Sequence, residues 1–291
     1  VAVGRVVAAL ALRPGREEVA VGLAGRLEVR TLAGDLVRAL PVREGEVQAL
    51  AFSADGTRLC SGGQNNALTV WDPEVPTPLH VLTGTTFPVR AVAVSPAGRL
   101  ASATGDNNIR TYLLADGSDL STWLQQASAL AFSGEPSLLA GGADGAVKRV
   151  DPSTGQVLAT VTSHPAGVVA LVPDAAGQRV LSVGHDRTLR MTTLAGVEQG
   201  RWTLPAPPLS LAWLGARGLA AAGLEDGTVA VVGVDGETAG VVGVVGVDGE
   251  TAGVVGVVDL GAGPVRALAA TETLVIAGTS GGTLVLLEVR R

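Results

Sequence analysis

Short runs of apolar and small residues, each broken by Gly, Pro, Asn or Asp, fill the chain from end to end. Runs such as VQALAF (47–52), VRAVAV (89–94) and VVALVP (168–173) have the length and β-branched content of strands. Between them stand turn signals, SADG at 53–56 and SPAG at 95–98, in which Gly supplies the positive-φ position. Apolar positions at a helical period, framed by capping residues, do not occur. The pattern predicts an all-β chain.

The runs repeat. Units open at Val7, Val47, Val89, Ala127, Val168, Pro208 and Val265, spaced by 38 to 42 residues except for a last step of 57. That step is long because VVGVDGETAGVVG at 231–243 recurs unchanged at 244–256, and removing one 13-residue copy shortens it to 44. Each unit continues with a turn, a second strand ending in small residues, a tight turn and a third strand. The tight turns carry Asn65-Asn66, Asp106-Asn107, Asp144-Gly145, Asp186-Arg187, Asp226-Gly227 and Gly281-Gly282, residues suited to two-residue hairpins. A period of roughly 40–45 residues with three or four strands is that of a β-propeller blade.

Composition narrows the function classes. Apolar residues make up 47% of the 291 and charged residues only 16%, against about 25% in an ordinary soluble domain. A net charge of −6 disfavours general nucleic-acid or anionic-membrane binding, which needs a basic surface. Lys148 is the one lysine among 21 basic residues, a bias we attribute to coding. Cys60 is the sole cysteine, so the chain has no internal disulfide and no cysteine-based zinc site. The longest uncharged run, 152–173, is too interrupted to span a membrane. No leader is visible, and Val at position 1 points to a processed or excised N-terminus. These features leave the compartment undetermined, with a cytoplasmic setting favoured.

The unit at 47–72, ending in Trp71-Asp72, resembles the WD-repeat β-propeller family. In that family a relay of hydrogen bonds runs from a turn Asp, through a His before the first strand, to a Ser/Thr and a Trp. The matching columns are worn here. Asp stands at 106, 144, 186 and 226, with Ala24, Asn65 and Gly281 in the other units. Ser stands at 61, 102 and 182, and the Trp column keeps only Trp71 and Tyr112. His164 is alone in its column. The fifth unit comes closest, with His164, Ser182 and Asp186 but Thr192 for Trp. The resemblance implies one seven-bladed propeller over 1–291 with four-stranded antiparallel blades.

Three expectations concern the build. Leu50, Phe52, Val92, Leu130, Phe132, Leu171, Leu211 and Leu268 should be core. One duplicate copy, around 236–248, should loop out of blade 6. Blade 7 should be closed weakly, or by the N-terminus, because only VAVGRV precedes Val7; that edge would invite strand addition.

No catalytic constellation is legible. His80, His164 and His185 belong to different units, the recurring Asp residues mark turns, and Cys60 reads as a buried apolar residue. No phosphate, dinucleotide or nucleophile-elbow motif occurs. We therefore expect no enzyme, no cofactor and no metal. One polar pattern stands out. Gln48, Arg90 and Arg266 follow the first residue of their units, and in the resembled family this position lies near the channel mouth. Asn66, Asn107 and Arg187 come from turns on the same face. These six are the candidate partner-binding residues, against the plainer reading of a solvated rim. The expected function is a protein-interaction scaffold whose partners are other proteins, not nucleic acid or membrane. Competing readings are a small-ligand sensor or enzyme using the central channel, and an architectural domain of a longer polypeptide.

Overall fold

Val47–Phe52, Leu59–Gly63, Leu68–Trp71 and Pro78–Leu82 pair antiparallel in sequence order, so each strand hydrogen-bonds to the next along the chain. In the computed structural model this meander recurs as seven separate sheets, which gives an all-β seven-bladed propeller with mainly four-stranded blades. The structure describes residues 1–42, 45–82, 85–214, 218–234, 240–241 and 257–288. Inner strands begin at Val7, Val47, Val89, Ala129, Val168, Pro208 and Val265, so only blade 4 opens later than the sequence predicts. Each inner strand packs beside the inner strand of the next blade, and Val7–Leu12 lies against Val265–Ala270 to complete the ring.

The core lies between neighbouring blades, where second and third strands meet. Leu59, Leu68 and Leu100 have no exposed surface, and each buried cluster joins two adjacent sheets. Inner strands face a core on one side and the central channel on the other. Val92, Leu130, Leu171, Leu211 and Leu268 are accordingly buried, as expected. Leu50, Phe52 and Phe132 are only partly buried, which corrects the expectation for them. Leu50 lines the channel, while Phe52 and Phe132 end their inner strands and pack only partly against the cores between blades.

Blade 6 has its outer position filled by two pieces. Gly240–Val241 pairs with Val232–Gly233, and Val257–Asp259 pairs with Thr228–Ala230. The expected excursion around 236–248 lies, apart from residues 240–241, outside the described residues.

Blade 7 has three strands, Val265–Ala270, Leu274–Thr279 and Leu284–Glu288. The N-terminal residues reach its outer edge at one end only. Ala2 bridges Thr283, Leu284 N donates to Val1 O at 2.8 Å, and Val3 N donates to Gly282 O at 2.8 Å. This is the short seal expected from so few residues.

Candidate interaction face

The six candidate residues occupy two special backbone positions. In six blades the ladder between inner and second strands slips by one residue, leaving Ala8, Gln48, Arg90, Val169, Leu209 and Arg266 unpaired. A bulge of this kind re-aims a side chain out of the pleat. The second position is in the tight turn, where Gly25, Asn66, Asn107, Gly145, Arg187, Gly227 and Gly282 all have positive φ. Carbonyls at this position accept from the loop entering the next blade, as in Gln125 N to Asn107 O and Leu204 N to Arg187 O, both 2.8 Å. The same turns reach back to the loop before the bulge, as in Gly105 N to Pro88 O at 2.9 Å. Bulges and turns therefore share one rim, and all six residues stand on it.

Their partners differ. Gln48 Nε2 lies 3.1 Å from Glu46 Oε2, and Arg266 Nη1 lies 3.2 Å from Glu46 Oε1. Asn66 Nδ2 donates to Thr86 O at 3.1 Å, which ties its turn to the loop entering blade 3. Asn107 is exposed. Arg90 and Arg187 are exposed, and among the described residues neither side chain makes a hydrogen bond or ion pair. Arg187 is the unusual member of its column. At φ 56° it takes a conformation that Gly and Asn adopt easily, at a cost of roughly 1 kcal/mol for a longer side chain. The rim thus presents two open cations, on blades 3 and 5, while the cation on blade 7 is already met by Glu46.

Turn geometry is held by polar links, from fully buried to exposed, and the sequence showed only part of them. In blade 5 the fully buried His164 places Nδ1 3.0 Å from Asp186 Oδ1 and Nε2 2.9 Å from Ser182 Oγ. Burial pushes the His164 imidazole below its usual range, with Asp186 opposing. Burial works against the Asp186 charge, yet His164 and Thr188 outweigh it and hold that carboxyl low. The relay stops there, because Thr192 Oγ1 is buried without a partner among the described residues. Blade 2 keeps only the far end, Trp71 Nε1 to Ser61 Oγ at 2.8 Å. Blades 3 and 4 use another device. Arg110 Nη2 lies 2.5 Å from Asp106, and Lys148 Nζ lies 2.6 Å from Asp144. The Arg110 guanidinium, aided by Thr104 and Asn108, holds Asp106 well below the usual carboxylate range. Arg190 repeats the pairing with Asp186 at 3.1 Å. The signal was present, a basic residue four positions after the turn Asp in DNNIR, DGAVK and DRTLR. Glu46 had no such signal.

The channel offers little chemistry. Its cavity of about 240 Å³ is lined by two or three residues per blade, mostly Ala, Val and Leu such as Ala49 with Leu50 and Ala129 with Leu130, with Gln48 at one point of the wall. Ser128 and Ser210, at its wall, donate to the Val168 and Val265 carbonyls at 2.9 and 3.1 Å and so clasp neighbouring blades. Cys60 is fully buried, and burial pushes its thiol far up. Among the described residues no three His, Cys, Asp or Glu side chains converge on a metal-sized site.

Comparison with known proteins agrees with this geometry. A model for the WD domain, G-beta repeat, matches residues 34–72, 76–112 and 155–192. Autophagy-related protein 16 of Arabidopsis thaliana is 29% identical over 161 residues, 54% of this chain and 32% of that protein. Protein FIZZY-RELATED 3 of the same plant is 31% identical over 166 residues, 54% of this chain and 34% of that protein. The B-type cell cycle switch protein ccs52B of Medicago truncatula is 31% identical over 188 residues, 58% of this chain and 38% of that protein. The chain thus spans little more than a third of these relatives. A chain of a mitotic checkpoint complex superposes with a TM-score of 0.84 at 18% identity, covering 100% of this chain and 90% of that one.

Proposed function

The chain belongs to the WD-repeat β-propeller family, and from that footing we propose that it is a non-enzymatic scaffold that binds an acidic segment of another protein on the rim carrying Gln48, Asn66, Arg90, Asn107, Arg187 and Arg266. The observation that carries the reading is the pair of open cations. Arg90 is lifted from its strand by a bulge, and Arg187 is held in a left-handed turn where other blades use Gly or Asn. Strain of this kind persists where the surroundings over-determine it and clusters at binding sites. Rigid loops around a ring suit recognition, and among the described residues the channel is lined by Ala, Val, Leu, Ser and Gln without an Asp, Glu, His or Cys. The matched fold from a mitotic checkpoint complex, and relatives named as cell-cycle and autophagy proteins, are in keeping with work done through protein contacts.

The test is Arg90→Glu combined with Arg187→Glu. A labelled acidic peptide should bind wild type and lose at least about tenfold in affinity to the double variant, since a fixed like charge repels where the cation attracted. Thermal stability should barely change, because exposed substitutions alter it by about 0.5 kcal/mol or less. Equal affinity for the two proteins would move the partner site elsewhere.

A further inference from the structure

Glu46 stands where an incoming carboxylate would stand. Its side chain is only 13% exposed and lies against three donors of the rim: Arg266 Nη1 at 3.2 Å, Gln48 Nε2 at 3.1 Å and Gln64 Nε2 at 3.3 Å. Arg266 belongs to blade 7 and Glu46 to the loop entering blade 2, so the pair passes over blade 1. The bulge of blade 1 holds Ala8, the smallest side chain in that column, which leaves the route open. Arg5, bonded to Ala24 O at 2.6 Å, lines the shallow cleft beside Glu46.

We infer that Glu46 is a built-in competitor: it occupies Arg266 and Gln48 in the free protein and so sets the affinity and selectivity of the rim for acidic partners. This rests on the reading of the rim as an acidic-partner face. The physical case is one of contrast. Arg90 and Arg187 are open, whereas Arg266 and Gln48 are engaged by one carboxylate. Two of the six candidate residues thus become available only when Glu46 is displaced. An exposed ion pair contributes little to folding, and Arg266 is 42% exposed, so a merely structural role for this contact would be a weak one. A partner with a single carboxylate would be satisfied by Arg90 or Arg187. A partner with several would gain from displacing Glu46, and the rim would discriminate in favour of dense negative charge.

The experiment uses a fluorescein-labelled decaglutamate peptide at low ionic strength, where screening is weakest. Glu46→Gln removes the charge and keeps one acceptor oxygen, while the other becomes an NH2 donor that can no longer accept from Arg266 or from Gln48 and Gln64. It should bind the peptide at least about threefold more tightly than wild type, a change on the scale of one exposed ion pair. Adding Arg266→Gln to Glu46→Gln should return binding to the wild-type value, because the cation that the first substitution releases is then missing. Glu272→Gln, exposed on the opposite rim, controls for net charge and should change nothing. If Arg90→Glu weakens binding but Glu46→Gln does not tighten it, or if Glu272→Gln tightens it equally, the competitor role is overturned while the face stands. If neither wild type nor Glu46→Gln binds the peptide, the acidic-partner reading falls and this inference falls with it.

Discussion

His164 Nε2 lies 2.9 Å from Ser182 Oγ, with the imidazole fully buried and the backbone of Gly184 pressed against it. A Cβ on Gly184 would stand 2.5 Å from His164 Cβ, so only glycine leaves room for this ring. Replacing His164 with Phe keeps the volume and leaves buried Ser182 without its imidazole partner, while Asp186 keeps Thr188 and Arg190. The loss should be about 1 to 3 kcal/mol by denaturant unfolding, the cost of leaving a buried polar group unpaired. The pH dependence has a defined sign. Because the native imidazole titrates below its unfolded value of about 6.5, the unfolded chain takes up its proton first. The stability is fully present above that pH and is lost as pH falls through and below it. The slope between about pH 7 and 5 should be flatter in His164→Phe. An unchanged slope would show that another group governs it.

Arg187 gives a prediction of opposite sign. Arg187→Asn should raise stability by about 0.5 to 1 kcal/mol, because Asn tolerates the left-handed region that Arg occupies at φ 56°. The same substitution should weaken binding of an acidic peptide. Calorimetry and a binding titration on one variant check both halves, and a loss of stability would show that the Arg side chain supports the turn.

The duplicated hairpin in blade 6 should be dispensable, and the register says why. In blades 1 to 5 the ladder between third and outer strands slips by one residue on reaching Arg30, Trp71, Tyr112, Val150 and Thr192. The residue in that column of blade 6 is Val232, which pairs with Val241, while Ala230 pairs with Val257. Deleting thirteen residues brings Val257 to position 244. Two residues, 242 and 243, then face Val231 alone, the same slip at the same column. Deletion of 244–256 should leave a folded ring with a melting temperature within a few degrees of wild type and no lower solubility, since VVGVVGV is an adhesive edge sequence. Loss of cooperative unfolding would show that both copies are needed.

The outer edge of blade 7 should exchange its amides early. Val285 to Leu287 pair with the Leu274–Thr279 strand on one side, while the N-terminal residues reach only 282–284 on the other. Ile109 to Leu113 in blade 3 are paired on both sides. Hydrogen exchange by mass spectrometry or NMR should show faster exchange at 285–287 than at 109–113, since amides without a second strand open locally at lower cost. Equal protection would mean that a three-residue seal stabilises the whole edge.

Local chemistry written in the sequence determined much of this protein. Seven strand starts, the Gly, Asn and Asp turns and the 13-residue repeat are short-range features, and each follows from what a residue can do with its own backbone. Gln48, Arg90 and Arg266 could be aligned as one column because six of the seven blades repeat the same bulge. The tertiary structure decided what those side chains meet. Glu46 and Arg266 are 220 residues apart and touch only because the ring brings blade 7 beside blade 1, and Ala8 leaves the way clear. Leu50 and Phe52 have a core pattern, yet stay partly open, because Leu50 lines the channel and Phe52 ends its strand beside the core between blades 1 and 2. The two-piece outer strand of blade 6 was equally hidden, since identical copies carry no information about which one pairs. Pairing partners, unlike turns, depend on residues distant in sequence, and only closure of the ring fixes them.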